Sequence, residues 1–169
     1  NDSSVIIKNS AIDNFTNGIF NLDSEAIVNN LVITNSRYGI KTSGVASSFI
    51  NNSIFFFNQS DIVNYNPAFT FADNSLVLSD NGSSNINLSN IIIANPQLND
   101  DYTLSSTSPC IDAGASNIDD ECMPPGLGGS RSDIGMFGGP QNCGTNSPNY
   151  PLDECGVLNG DNSSCADCA

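Results

Sequence analysis

Side chains that could act as a catalytic base are scarce in this chain. Its 169 residues include no histidine and only four basic side chains, which are Lys8, Arg37, Lys41 and Arg131. Arg37 and Lys41 are close in sequence near one turn, whereas Lys8 lies a repeat or more away, so a solvated surface pair is the simplest interpretation. A triad built on histidine is excluded.

Paired carboxylates are the other arrangement that could perform hydrolysis, as the acid and base of glycoside hydrolases. Asp13, Asp61 and Asp80 are expected near turns, but they share no consistent phase in the repeat described below. No glycine-rich phosphate loop opens a helix. We therefore predict that the chain has no catalytic residues, needs no cofactor and is not an enzyme.

Calcium is the one ion that the sequence leaves open, because it prefers hard oxygen ligands at loose spacing. No EF-hand loop is present, and acidic loops also keep a surface protein soluble, which is the favoured alternative. The candidate ligands are Asp119, Asp120, Glu121, Asp133, Asp161 and Asp167.

All six cysteines lie in the last part of the chain, and their even number in a loop-rich region predicts disulfides in an oxidising compartment. Their pairing is open. Zinc is a weaker alternative for the last two, because no second pair and no histidine accompany them. The cysteines are Cys110, Cys122, Cys143, Cys155, Cys165 and Cys168.

Several asparagines begin an Asn-x-Ser/Thr triplet and are candidate glycosylation sites, which agrees with secretion. The candidates are Asn51, Asn81, Asn87, Asn162, Asn14 and Asn58. Asn14 and Asn58 also fall on the recurring asparagines described next. An asparagine cannot both fill an internal ladder and carry a glycan, so we expect the ladder at those two positions and glycans at Asn51, Asn81 and Asn87.

The net charge of −14 disfavours binding to nucleic acid and to anionic membranes. No apolar run is long enough to cross a bilayer, so no membrane insertion is expected.

A repeat of about 22 residues organises the first half of the chain. One asparagine recurs at positions 9, 30, 52 and 74, and a second at 14, 35 and 58. Each unit contains two short runs rich in Ile, Val and Phe between Asn and Gly, which is typical of strands in a β-solenoid. Asparagine tolerates the left-handed backbone of a sharp bend, and stacked amides could bond to one another. The predicted ladder comprises Asn9, Asn30, Asn52, Asn74 and Asn35.

After the repeat the chain reads Asn95-Pro96, then Ser108-Pro109-Cys110-Ile111-Asp112-Ala113-Gly114, then Asp133-Ile134-Gly135-Met136-Phe137-Gly138-Gly139-Pro140. Together with the coils, this order resembles the C-terminal part of secreted right-handed β-helix proteins. The resemblance implies an all-β, right-handed, single-stranded parallel β-helix of the pectate-lyase-like type with a C-terminal cap. It implies no single activity.

A cap is expected because an open coil leaves unpaired backbone groups. We expect Ile111, Ile134, Met136 and Phe137 to cover the last coil. Residues 153–168 resemble a short Cys-rich extracellular repeat, although Leu158 replaces an expected cysteine. The predicted organisation is therefore coils over 1–95, a cap over 96–140, and a linker with a Cys-rich tail over 141–169.

The sequence favours a non-enzymatic structural or adhesive component of a secreted or cell-surface glycoprotein, with a filament or appendage as one form. Since no cap is visible at the N-terminal end, further coils or another copy are expected to cover it. The alternative is a β-helix that binds or degrades polysaccharide, with Tyr38, Tyr65 and Phe57 as the rings that stack on sugars.

Overall fold

The computed structural model describes residues 4–119 and 128–139. These residues contain nine β-strands and no helix, and hence no helix that could cross a membrane. The strands are β1 (Ser4–Asp13), β2 (Asn17–Leu22), β3 (Glu25–Thr34), β4 (Tyr38–Ser43), β5 (Ser47–Asn51), β6 (Ile54–Phe56), β7 (Ser60–Asn64), β8 (Phe69–Asp73) and β9 (Ile86–Ser89).

The strands stack the chain into a parallel β-solenoid, which confirms the predicted fold class. One sheet has the order β1-β3-β5-β8-β9, with β6 also paired to β3, and the other has the order β2-β4-β7. Ser4 pairs in register with Glu25, and Glu25 pairs in turn with Ser47. The interval between the recurring asparagines is therefore also the step between stacked strands.

Each coil contributes three strand segments, where the sequence suggested two. β3 pairs with β5 before Asn30 and with β6 after it, so one apolar run supplies two faces. Face 1 comprises the first halves of β1 and β3 together with β5, β8 and β9. Face 2 comprises the second halves of β1 and β3 together with β6. Face 3 comprises β2, β4 and β7.

Left-handed residues make the bends between faces. The bend from face 1 to face 2 carries asparagines with φ between 44° and 52°. They are Asn9, Asn30, Asn52 and Asn74. The bend after face 2 carries Asn14 and Asn35, with φ of 63° and 52°. Asparagine adopts this conformation more readily than most residues, so the local sequence dictates where the chain turns.

The third coil departs from the predicted asparagine phase. Thr34 pairs with Phe56, so the residue that corresponds to Asn35 is Phe57, and Asn58 follows one position later. Phe57 has a φ of 56° and occupies the bend. Asn58 instead accepts a hydrogen bond from the backbone N–H of Ser36 at 2.9 Å, which ties two successive coils together.

The buried apolar side chains form two clusters, one in the interior of the coils and one on the outer side of face 2. Leu31 and Ile33 point into the coil, and Val32 between them points outward, yet all three are fully buried. The outward column continues through Ile54 and Leu76. A strand without polar alternation is thus covered on both sides, as in parallel sheets packed on both faces.

The cover of face 2 comes from the segment after residue 95. Leu104, Cys110 and Ile134 pack against the outward column of Val32 and Ile54. The N–H of Gly135 donates to the carbonyl of Asn52 at 2.8 Å. The described part of the expected cap therefore packs along the outer side of face 2, where Ile134 belongs to the same cluster as Val32, Ile54 and Leu76. A cover over the last coil stays a prediction.

Candidate functional site

Aromatic rings and a basic group meet on the outer surface of face 3. Ile40 is buried in β4, so strand alternation turns its neighbour Lys41 outward, where it pairs in register with Phe20 of β2. The Nζ atom of Lys41 lies 5.2 Å from the ring centre of Phe20 and 5.3 Å from that of Tyr65. The ring of Tyr38 is 6.0 Å from the same atom. These distances are in the range of cation–π attraction.

A second cation extends this surface. The guanidinium of Arg37 lies 5.1 Å from the ring centre of Tyr38. We call the group Phe20, Arg37, Tyr38, Lys41 and Tyr65 the face-3 aromatic cluster. It gathers two of the four basic residues of a chain whose net charge is −14. The exposed rings can stack on a flat ligand, and the guanidinium and the ammonium can pair with a carboxylate.

The structure brings together two of the three rings predicted for sugar stacking, Tyr38 and Tyr65. The third, Phe57, lies at the bend after face 2 beside Phe56, with ring centres 4.0 Å apart. Lys8 is separate from the other cations, because it pairs with Asn29 on face 1.

Sequence reasoning missed Phe20 as a partner of Lys41. The signal was present, because the two residues are separated by one coil step, and stacked positions in a solenoid are neighbours.

The carboxylates considered for catalysis bind their own chain. The Oδ2 atom of Asp61 accepts the N–H groups of Leu78 and Ser79, at 2.8 and 3.0 Å. The Oδ1 atom of Asp80 accepts the N–H of Gly82. Burial raises the pKa of Asp61 above its ordinary value, against the opposing effect of these hydrogen bonds. Such bonds are typical of carboxylates that hold a turn.

The calcium candidates fall partly within the described residues. The Oδ1 atom of Asp133 accepts the N–H of Asp112 at 2.7 Å, and Asp119 is exposed and bridged to Arg131 through the backbone. In the part of the chain that the structure describes, no three acidic, Cys or His side chains group as metal ligands. Asp120, Glu121, Asp161 and Asp167 lie outside the described residues, and calcium there stays a prediction.

Cys110 is a free thiol, fully buried where the covering segment packs against the outer side of face 2. Burial raises its pKa to about 12, a hydrogen bond with Ser108 opposes the rise, and the nearby carboxylate of Asp133 adds to it. The other predicted disulfide residues, Cys122, Cys143, Cys155, Cys165 and Cys168, lie outside the described residues. Their pairing stays a prediction.

Asparagines at the bend from face 1 to face 2 bind the covering segment, which is the described part of the chain after residue 95. In the predicted ladder, the asparagine amides would instead bond to one another. The Nδ2 atom of Asn9 donates to the carbonyls of Met136 and Gly138, both at 3.0 Å. The Nδ2 atom of Asn30 donates to the carbonyl of Gly135 at 3.3 Å.

One coil further along, the Oδ1 atom of Asn52 accepts the N–H of Ala115 at 2.8 Å. The covering segment offers backbone groups at each of these levels of the stack, so the amides bond to it. Amide-to-amide contact occurs at Asn74, whose Nδ2 lies 3.4 Å from the Oδ1 of Asn51.

The glycosylation candidates differ in how engaged their amides are. Asn81 bonds in both directions to the backbone of Asn64, and Asn58 donates to the carbonyl of Ile33. Asn14 and Asn87 are exposed. Asn162 lies outside the described residues, and the presence of a glycan at any of these positions stays a prediction.

Comparison of the chain with protein-family models, with curated proteins and with solved structures finds no match.

Proposed function

We propose that this chain is a non-enzymatic structural module of a secreted or cell-surface glycoprotein. In this proposal it belongs with the secreted right-handed β-helix proteins, its tail is a disulfide-bonded Cys-rich repeat, and it assembles with other copies or with further coils. An adhesive surface or a filament is the setting that such a rod would serve. No nucleic acid and no membrane insertion are involved.

The observation that supports the proposal is the open edge of the first coil. β1 and β2 each end their sheet, so one side of each strand has no partner strand among the described residues. Val5 pairs with the buried Ala26 and so lies on the interior side of the coil, yet it is 52% exposed. At the opposite end, Leu88 pairs with the buried Ala72 and is 42% exposed.

Within the stack of described strands, both ends therefore offer backbone hydrogen-bonding groups and interior-facing apolar side chains. Such an edge favours pairing with another strand, and a coil stacked on it would bury both kinds of group. Contact between the first coil of one copy and the last coil of the next would be heterologous, which produces linear assemblies when it does not close.

The test is sedimentation of the full-length chain over a range of concentrations. We expect association that increases with concentration and that Val5→Lys weakens, because the new ammonium would have to be buried in the stacked interior. Val45→Lys is the matched control, since Val45 lies in the turn between β4 and β5 and is 83% exposed. A wild-type chain that stays monomeric at high concentration would count against assembly between copies.

Polysaccharide binding is the second candidate function, and the face-3 aromatic cluster is the observation that favours it. Affinity electrophoresis in gels that contain acidic or neutral polysaccharide tests it. Retardation of the wild-type chain that is lost in Tyr65→Ala would support this function. Equal migration of the two proteins in every gel would count against it.

A further inference from the structure

A cleft lies where the bend after face 2 meets the segment that follows residue 95. Its volume is about 470 Å³, which is in the range of about 300–1,000 Å³ found for small-ligand sites. Coils one, two and three supply Asp13, Asn35 and Phe57 to its wall, and the later segment supplies Gln97 and Tyr102. The cleft therefore exists only in the folded solenoid with its lateral cover in place.

Unfavourable backbone conformations are concentrated in this cleft. Among the described residues other than Gly, Asn and Asp, a positive φ occurs at Phe57, Gln97 and Tyr102, with values of 56°, 53° and 65°. All three line the cleft. Residues with bulky side chains adopt this conformation at a cost, and such residues cluster at ligand-binding sites.

Phe57 differs from the residues that occupy the same bend in the two preceding coils. At the corresponding position, the first two coils carry Asn14 and Asn35, which suit the left-handed bend. The third coil carries a phenylalanine in the same conformation, and its side chain is 71% exposed. The strained backbone and the large exposed fraction of this ring mean that the bend alone gives no reason for a phenylalanine at this position.

The ring of Phe57 forms an aromatic wall together with Phe56, whose ring centre is 4.0 Å away at an interplanar angle of 40°. Tyr102 lines the same cleft. Its pKa is raised chiefly by burial, and also by the charge of Asp13 and by a hydrogen bond to Asp13.

Oriented polar groups face the same space. The Oδ1 atom of Asp13 accepts the Nδ2 of Asn35 at 2.7 Å. The Oε1 atom of Gln97 accepts the hydroxyl groups of Ser105 and Thr107, which fixes the amide. The NH₂ group of Gln97 makes no hydrogen bond within the described residues and remains available as a donor.

We propose that this cleft binds a neutral pyranose unit of an oligosaccharide, with one sugar face stacked on Phe57 and the hydroxyl groups bonded by Asp13, Asn35 and Gln97. An aromatic wall with a few convergent polar groups is the usual composition of a small-ligand site. The carboxylates of Asp13 and Asp100 line the cleft, so an acidic sugar is repelled. The proposal shares its ligand class with the second candidate function but uses a different surface, and it is independent of axial assembly.

The experiment is calorimetric titration of the full-length chain with neutral oligosaccharides of glucose, mannose and galactose at millimolar concentration, with oligogalacturonate as the acidic comparator. Phe57→Asn is the key variant, because asparagine occupies this bend in the two preceding coils and the coil should fold unchanged. We expect at least one neutral oligosaccharide to bind. Its affinity is expected to fall about tenfold or more in Phe57→Asn, as for an aromatic ring that the bound ligand covers.

Two control variants separate this site from other aromatic surfaces. Tyr65→Ala alters the face-3 aromatic cluster, and Phe71→Ala removes an exposed ring of face 1, whose ring centre is 5.3 Å from that of Phe49. Both are expected to bind as the wild type does. The proposal is overturned if no neutral sugar binds, if oligogalacturonate alone binds, or if Phe57→Asn leaves the affinity unchanged. A loss confined to Tyr65→Ala would overturn it too, while supporting the second candidate function.

Discussion

The left-handed bends are the residues on which the coil depends, and most of them are asparagine. Asn30 and Asn35 turn the chain twice within one coil, each at φ 52°. A left-handed conformation costs an ordinary residue roughly 1–2 kcal/mol. Placing asparagine there reduces this cost and adds an amide that can bond to a neighbouring segment.

Phe57→Asn is predicted to stabilise the protein by about 1 kcal/mol, because it relieves the left-handed strain and sacrifices a ring that is largely exposed. Urea denaturation followed by circular dichroism measures the change. Asn35→Phe is the matched reverse exchange at the same bend of the preceding coil and is predicted to destabilise by a similar amount. A loss of stability in Phe57→Asn would show that the packing of Phe57 against Phe56 outweighs the strain.

Asp61 is a second residue whose chemistry is determined by its partners. Its side chain is 1% exposed, and its Oδ1 atom accepts the Nδ2 of Asn58 at 2.9 Å. The Oδ2 atom accepts the backbone N–H groups of Leu78 and Ser79. Burial is the largest influence and raises its pKa, so the folded chain holds this proton more tightly than the unfolded chain does.

Asp61→Asn is predicted to cost about 1–3 kcal/mol, because the new NH₂ group would face the NH₂ group of Asn58. The cost should depend on pH. Since the folded pKa is raised, the stabilising effect of the wild-type proton is fully present below pH 3.8 and is lost as the pH rises through the folded pKa. The advantage of the wild type over Asp61→Asn therefore narrows from pH 3 to pH 7, as measured by thermal unfolding.

Asp101→Asn serves as a control, because the pH dependence of its effect on stability is predicted to have the opposite sign. Hydrogen bonds from the side chain and backbone of Thr103 lower the pKa of Asp101. Its contribution is therefore present above pH 3.8 and is lost as the pH falls through the lowered pKa. A pH-independent difference between wild type and Asp61→Asn would refute the assignment of a raised pKa to Asp61.

At the scale of elements, the segment over residues 131–139 fastens successive coils along one edge. It bonds to Asn9, Asn30 and Asn52, which stack on three coils. Solenoid coils contact mainly their nearest neighbours, so a lateral segment that touches three of them couples their unfolding.

Asn52→Gly is predicted to cost about 1–3 kcal/mol, because glycine retains the left-handed bend but leaves the buried N–H of Ala115 without its acceptor. Asn74→Gly is the matched control, since Asn74 occupies the next coil and its amide makes only a contact of 3.4 Å. We expect that control to cost less than about 1 kcal/mol in urea denaturation. Equal losses in the two variants would mean that the covering segment adds nothing through Asn52.

At the scale of the whole molecule, the net charge of −14 opposes compaction and association through self-repulsion. Stacked strands bring like-charged coils to a spacing of about 4.8 Å, well within the Debye length at physiological salt. The apolar interior must therefore offset a repulsion that added salt weakens.

Raising NaCl from about 0.02 M to 0.2 M is predicted to increase the melting temperature by about 2–4 °C, equivalent to about 1 kcal/mol for a chain of this size. CaCl₂ at the same ionic strength is the comparison. A larger increase with calcium would indicate a specific site among the acidic residues outside the described ranges. A lower melting temperature in NaCl would contradict net repulsion as a destabilising influence.

The sequence by itself determined the coil. Asn9, Asn30 and Asn52 occur at the coil step because a left-handed bend is a local property of one residue, and the short β-branched runs between them prefer extended backbone. The length of the coil step, the parallel stacking and the column of bends could all be predicted from these two local preferences.

The tertiary structure alone decided what surrounds the coil. The burial of Val32 on the outer side of face 2 depends on Leu104 and Ile134, which are far along the chain and follow no period. The same holds for the cleft at Phe57 and for the meeting of Lys41 with Tyr65. Contacts between distant residues depend on how complementary surfaces pack, and no single-residue preference encodes that outcome.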